Sequence, residues 1–310
     1  MSQTGPRFNG SGHELLKPTE NPAPWANVPV HDGPVLIAGP TASGKSALAL
    51  HIAQTRGGII INADALQVFA GWPLLTAQPT AADLALAPHA LYGHVPFDAA
   101  YSVGHWLRDL APLLAGPDRP IIVGGTGLYF AALTQGLAVI PPVPRAVRQQ
   151  ADSHSLDDLL AGLDPVSTSR LDTQNRARVQ RAWEVVTTTG RTLIDWQADT
   201  PAPLVPLDQC TALVLQPSVD WLNARIVQRF DQMLDHGALA EAEQMRTSWN
   251  PALLSSKAIG AADLIGYLDG TLTLAQARDS AVTASRQYAK RQRTWCRARM
   301  QGWTGIIPVL

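Results

Sequence analysis

Gly39-Pro40-Thr41-Ala42-Ser43-Gly44-Lys45-Ser46 satisfies the pattern G-x-x-x-x-G-K-[ST] at every position. Before it, Val35-Leu36-Ile37-Ala38 is a short apolar run that reads as a buried strand. After it, Ala47 to Thr55 is rich in Ala and Leu and reads as a helix. Strand, glycine loop and helix in that order aim several backbone N–H groups and the positive end of a helix at one point. Lys45 adds a mobile ammonium, and the Ser46 hydroxyl can ligate a Mg²⁺ held by phosphate oxygens. A glycine-rich turn with a chance lysine would not explain the flanking pattern. The stretch therefore predicts a site for a diphosphate or a triphosphate.

Outward from the loop, Ile59-Ile60-Ile61 reads as a second buried strand, and Asn62-Ala63-Asp64 leaves its carboxyl end. Ligands of open parallel sheets sit beyond the carboxyl ends of the strands, so Asp64 is expected on the same edge as the loop. There it could accept a proton or help to hold Mg²⁺; an Asp that merely caps the next helix is the competing reading, and the shared edge favours catalysis. Val103, Trp106, Leu107, Leu110 and Leu114 recur at helical spacing. Pro120-Ile121-Ile122-Val123 is a third strand running into Gly124-Gly125-Thr126-Gly127, where Thr126 offers a hydroxyl; taken alone, the turn reads as one that needs positive φ. Strands alternating with helices predict a parallel α/β sheet.

At Pro141-Pro142-Val143-Pro144 the composition changes, and from Arg145 to about Gln197 no strand is evident. Strand character returns at Thr211 to Leu215. Next comes a helix with an apolar stripe at Leu222, Ile226, Phe230, Met233 and Leu234, which puts Arg225 and Arg229 together on a neighbouring face. The predicted organisation is a flexible tail at 1–33, an α/β core made of 34–140 and 205–310, and a helical insertion at 141–204. On the last long helix, Leu274 to Arg299, the residues Arg286, Lys290, Arg293 and Arg297 form one stripe, with Arg291 and Arg299 adding charge. A solvated face and a phosphate-backbone contact are about equally good readings of it. In the insertion, acids nearly cancel the arginines, and only Arg176, Arg178 and Arg181 stand out as a cluster.

Bulk properties narrow the class. Only 16% of the 310 residues are charged and the formal net charge is -1, so a nucleic-acid surface must be local. Two cysteines, Cys210 and Cys296, fit reduced thiols in a cytosolic protein better than a disulfide framework. There is no secretory pattern and no apolar run near the roughly 20 residues of a membrane helix. The histidines show no metal-ligand spacing.

In their order these motifs resemble the tRNA dimethylallyltransferase (tRNA isopentenyltransferase) family over about residues 35–300. The segments that carry the resemblance are GPTASGKS, INADALQVFAGW, PHALYGHVPFDAAYSVGHW, PIIVGGTGLYFAALTQGL, DPVSTSRLDTQNRARVQRAWEVVTTTGRTL, RIVQRFDQML, SKAIGAADLIGYLDG and SRQYAKRQRTWCR. The resemblance implies a P-loop NTPase-like parallel sheet flanked by helices, with an inserted helical domain that grips the tRNA anticodon arm. It implies transfer of a dimethylallyl group from dimethylallyl diphosphate, with Mg²⁺, to N6 of the adenosine 3′ of the anticodon in tRNAs reading codons that begin with U. By position, Thr41, Lys45 and Ser46 would hold the diphosphate within the loop 39–46 (Gly39, Pro40, Ala42, Ser43 and Gly44 completing it), with Arg225 as a second cation and Ser46 as the metal ligand. Asp64 would be the general base, and Ala65, Leu66 and Gln67 would touch the target base. Thr126 and Arg148 would flank the channel for the flipped nucleotide. Ala177, Arg178, Val179, Gln180, Arg181, Lys257 and Gly260 would line the RNA, joined by Arg286 and Lys290. Ala65, Phe69, Ala70, Ala261 and Ala262 depart from the family's usual residues. A monomeric cytoplasmic enzyme without membrane attachment is the expected form. A P-loop small-molecule kinase, with the arginines at 170–181 as a lid over ATP, an adenine-nucleotide isopentenyltransferase, and a non-catalytic nucleotide switch are the rival readings.

Overall fold

Val35 to Ala38 is apolar at every position because the strand it forms is covered on both faces. Val35 and Ile37 enter one apolar layer with Leu48 and Ile52, while Leu36 and Ala38 enter another with Trp106 and Phe130. The computed structural model describes Trp25 and residues 28–308. In chain order the first part is β1 (Val35–Ala38), α1 (Lys45–Arg56), β2 (Ile59–Asn62), α2 (Pro73–Thr76), α3 (Ala81–Leu86), β3 (His89–Ala90), α4 (Val103–Leu114), β4 (Pro120–Gly124) and α5 (Gly127–Gln135). Five helices without a strand follow: α6 (Arg145–Ser153), α7 (Leu156–Ala161), α8 (Pro165–Arg170), α9 (Arg176–Thr189) and α10 (Leu193–Ala198). The chain then continues as β5 (Thr211–Leu215), α11 (Val219–Asp235), α12 (Ala238–Arg246), α13 (Ala261–Leu268), α14 (Leu274–Arg299) and β6 (Thr304–Ile306).

All six strands are parallel, in the order β3-β2-β4-β1-β5-β6. The predicted α/β architecture is therefore the observed one. Because β4 lies between β1 and β2, the segments leaving their carboxyl ends (39–46, 124–127 and 62–67) converge on one edge. The outer strands β3 and β6 have no counterpart among the runs read from the sequence, since two or three residues are too few to show a period.

Of the expected tail 1–33, residues 1–24, 26 and 27 lie outside the described residues. Trp25 is buried in the layer beneath α1, with Val28 and Val30 against it, and the His31 N–H donates to Thr211 Oγ1 at 2.9 Å. Helices α6, α7 and α9 have an apolar core of their own around Ala151, Leu159, Val179 and Trp183. A further core, of α11, α13 and α14, reaches α2 through Trp72 and Leu75. The short α2 is held there by Glu241 of α12, whose carboxylate oxygens accept the Leu74 N–H at 2.7 Å and the Leu75 N–H at 3.0 Å. Burial raises the pKa of Glu241 above the ordinary carboxylate range, while these two amides pull it back.

Replacing Glu241 by Ala strands two largely buried amides at the start of α2. The expected loss is on the order of 2–4 kcal/mol of stability, read as a lower midpoint in denaturant unfolding.

Candidate active site

Asn62 ends β2 fully buried and shapes the chain after it. Its Oδ1 accepts the Asp64 N–H at 2.8 Å, and its Nδ2 donates to the Asp64 and Leu91 carbonyls at 3.0 Å each. Asp64 closes the turn by accepting the Leu66 N–H on Oδ1 at 3.0 Å, which leaves Oδ2 without a hydrogen bond among the described residues. From the turn after β4, Thr126 Oγ1 accepts the Ala65 N–H at 2.9 Å. Thr126 thus braces the Asp64 segment. Asn62 carried no role in the sequence reading, although an Asn two residues before a candidate base is the signature of such a side-chain-capped turn.

The glycines of 124–127 are explained by close approach, not by the positive φ that the sequence suggests: none of the three has it. A Cβ on Gly124 would lie 2.1 Å from the Ala63 carbonyl oxygen, and one on Gly127 would lie 2.2 Å from the Trp295 ring.

In the loop, the Lys45 ammonium is turned inward and donates to the Pro40 carbonyl at 2.7 Å. Burial lowers its pKa to about 8, against the opposing pull of Asp64, with Arg229 lowering it further. The buried Ser43 hydroxyl has no partner among the described residues. Two adjoining cavities open here. One, of about 300 Å³, is lined by Lys45, Ser46, Gln67 and Tyr92; the other, of about 70 Å³, by Leu66, Leu75, Ile226, Phe230, Met233 and Tyr288. Both share Thr41, Asp64, Thr76 and Arg229. A polar chamber and an apolar one therefore meet at a single carboxylate flanked by two cations.

Arg225 is not the arginine in this site. It lines neither cavity; its guanidinium lies over the Trp221 ring, 4.9 Å from the centroid, and Nε donates to the Ala42 carbonyl at 3.3 Å. One turn on, Arg229 enters both cavities and reaches Thr41 Oγ1 at 3.4 Å, with its pKa lowered by burial. Gln67 lines the polar chamber but spends its amide on the Thr76 and Ala77 carbonyls, at 2.8 Å each, so it holds the end of α2. Ala65 is half-buried and lines neither chamber, and Phe69 is buried edge-on to Tyr101.

The residues assigned to RNA divide in two. Ala177, Arg178 and Arg181 line a cleft of about 790 Å³ on the insertion, together with Arg170 and Arg299. A second cleft of about 570 Å³ is walled by Arg178, Lys290, Arg291, Trp295 and Arg299. None of these arginines lines the chambers at the loop, which removes the basis for a lid over ATP. Lys257 and Arg286 are exposed, and Arg148 pairs with Glu184 at 3.5 Å. Val179 is corrected: it is fully buried in the insertion core and cannot touch RNA. Gln180 spends its amide on Asp152 and Glu184, at 2.7 and 3.0 Å. Gly260 is buried as well; it has a left-handed φ, and a Cβ there would lie 2.8 Å from the Phe230 ring, so packing explains it. On α14, Lys290 and Arg291 line the cleft with Gln287 and Thr294, whereas Arg286, Arg293 and Arg297 lie on the adjacent face.

Among the described residues no group of three or more His, Cys, Asp or Glu could cage a metal. The donors at the loop instead fit a Mg²⁺ that arrives on phosphate oxygens and takes one ligand, the exposed Ser46 hydroxyl, from the protein.

A family model described as IPP transferase matches residues 67–299. A tRNA dimethylallyltransferase of Ruegeria sp. (strain TM1040) is 59% identical over 277 residues, 89% of this chain and 96% of the relative. One from Jannaschia sp. (strain CCS1) is 58% identical over 276 residues, 88% and 95% of the two chains. Among solved structures, the tRNA isopentenylpyrophosphate transferase from Bacillus halodurans superposes with a TM-score of 0.64 at 30% identity, covering 89% of this chain and 90% of its own. A eukaryotic dimethylallyltransferase acting on tRNA shares the fold, with a TM-score of 0.78 at 24% identity over 90% of this chain and 74% of its own.

The lowered pKa of Lys45 sets a pH dependence. Only the protonated ammonium attracts a diphosphate, so affinity for inorganic pyrophosphate should hold up to about pH 8 and fall above it. In Lys45→Arg that break should vanish between pH 7 and 10, as titration calorimetry across the range would show.

Proposed function

The chain belongs to the IPP transferase family, and we propose that it moves a dimethylallyl group from dimethylallyl diphosphate to N6 of the adenosine immediately 3′ of the anticodon, in tRNAs reading codons that begin with U. The observation that carries this reading is the meeting of a phosphate-binding polar chamber and an apolar chamber at Asp64.

In that reaction the allylic C–O bond breaks as the N6–C bond forms. Positive charge builds on carbon and negative charge on the oxygen that leaves with the diphosphate. The loop amides, Lys45 and Arg229 face that oxygen from a partly desolvated site, so their attraction grows towards the transition state. Ser46 Oγ would be the protein ligand for a Mg²⁺ carried on the diphosphate, whose charge would add to theirs. Exocyclic N6 is a weak nucleophile because its lone pair is delocalised into the ring. Asp64 takes the N6 proton on its free Oδ2 as the new bond forms, while Asn62 and the Leu66 amide hold the carboxylate still. The small apolar chamber suits the prenyl carbons, with Leu75, Phe230 and Met233 as its walls.

A stacked adenine cannot reach Asp64, so the nucleotide must be flipped out, at a cost of about a few kcal/mol. Contacts of the tRNA backbone with Arg178, Lys290, Arg291 and Arg299 offset it; none of these four pairs with a carboxylate among the described residues. Every group invoked comes from one chain, so the acting unit is taken as a monomer. We place it in the cytoplasm, where tRNA substrates are found; no described helix is long and apolar enough to cross a membrane.

Incubation with labelled dimethylallyl diphosphate and unmodified tRNA should put the label on the adenosine 3′ of the anticodon. Asp64→Ala should bind tRNA nearly as well while transfer falls by about 10²–10⁴-fold; retained turnover would remove Asp64 as the base. Lys290→Glu together with Arg291→Glu should weaken tRNA binding and flatten its dependence on log salt by about two units, with the KM for the diphosphate donor unchanged.

A further inference from the structure

Gln292 is 5% exposed and sits on α14 between two arginines, Arg291 and Arg293, at the point where the helix meets the phosphate loop. Both ends of its carboxamide are in use. Oε1 accepts the Thr41 N–H at 2.8 Å, and Nε2 donates to the Gly125 carbonyl at 3.1 Å. Among the described residues, Thr41 is the one amide of the loop that donates to a side chain from elsewhere in the chain. Parallel pairing between β1 and β4 fixes the backbone only as far as Ala38 and Gly124. Past those residues the two segments diverge into separate turns, and the Gln292 carboxamide spans them.

The bridge continues to the candidate base. A Cβ at Gly125 would lie 2.0 Å from Gln292 Nε2 and 3.3 Å from Asp64 Oδ2, so the carboxamide and the carboxylate face the same glycine. The next residue, Thr126, braces the Asp64 segment through the Ala65 amide. Here Gly125 is glycine because a side chain would displace the bridge. An apolar side chain at 292 could fill the same space, but it would strand a partly buried N–H and a partly buried C=O. Packing alone does not call for a carboxamide here.

We propose that Gln292 is a positioning residue for prenyl transfer. It sets the spacing between the diphosphate cradle and Asp64, and it fastens both to α14, whose Lys290 and Arg291 line the basic cleft. The proposal rests on the reaction assigned above. Its energetic logic is that of an oriented site: a cradle that drifts relative to the base loses the aligned geometry from which much of the rate comes. Gln292 touches neither substrate in this account and acts through Thr41 and Gly125.

The test is Gln292→Met, which keeps length and apolar volume and removes both hydrogen bonds. Four quantities are measured on the full chain: the Kd for inorganic pyrophosphate by calorimetry, the Kd for unmodified tRNA by filter binding, and kcat and donor KM. Expected are a severalfold weaker hold on pyrophosphate and a kcat lower by about tenfold or more, with tRNA affinity within about twofold of wild type. Pyrophosphate affinity and kcat both unchanged would overturn the proposal. So would a loss shared equally by tRNA binding, which marks a merely structural role. If the variant does not fold, amide exchange on the ligand-free wild type decides: the Thr41 N–H should exchange at least about tenfold slower than its intrinsic rate, and exchange at that rate overturns the bridge. Should the wild-type enzyme fail to prenylate tRNA, the assigned reaction falls, while pyrophosphate binding and Thr41 exchange still judge Gln292.

Discussion

Three segments can share one small volume in this protein only because the turn after β4 carries almost no side chains. Gly124 lies against the Ala63 carbonyl, Gly125 against the Gln292 carboxamide and Asp64, and Gly127 against the Trp295 ring. Any Cβ at these positions would lie between 2.0 and 2.2 Å from its neighbour, far inside van der Waals contact. The contact with Ala63 brings the Asp64 segment close to β4, and the contacts with Gln292 and Trp295 bring α14 down onto the sheet edge. Catalytic geometry and helix docking thus depend on the same absence of side chains.

Electrostatics then give the assembled edge its selectivity. Lys45 and Arg229 are both depressed by burial, and each is helped to stay charged by Asp64. Lys45 and Arg229 line the polar chamber with Asp64 and Asp83, and in the proposed reaction the two cations would hold the diphosphate. Of the carboxylates there, Asp64 is the one that the polar and apolar chambers share, which suits it to the proposed role of base. Its position is over-determined by Asn62, Leu66 and, one residue on, Thr126, so little reorganisation is needed when charge moves.

The insertion and α14 form the other half of the design. Helices α6, α7 and α9 bury their own apolar cluster, while Arg178 and Arg181 of α9 face a cleft shared with Arg299 of α14. The same helix that presents Lys290 and Arg291 to the cleft presents Tyr288 to the apolar chamber and Gln292 to the loop. A rigid helix of 26 residues holds these faces in fixed relation, so a substrate bound on one side is oriented relative to the other.

The sequence alone determined the α/β sheet, the phosphate loop, the emergence of Asp64 on its edge and the extent of α14, because strand alternation, glycine spacing and helical periodicity are local signals. It could not choose between Arg225 and Arg229, which share a face one turn apart; only the height at which α11 crosses the loop decides which reaches Thr41. Nor could it single out Lys290 and Arg291 from the seven cations of α14, since the rotation of that helix is set by what it buries. Val179, assigned to RNA through the resemblance, is core, and Gln292, which carried no role in the sequence reading, is a buried bridge. Burial and partner identity are properties of residues distant in the chain, brought together by packing, and a one-dimensional pattern carries no record of that distance.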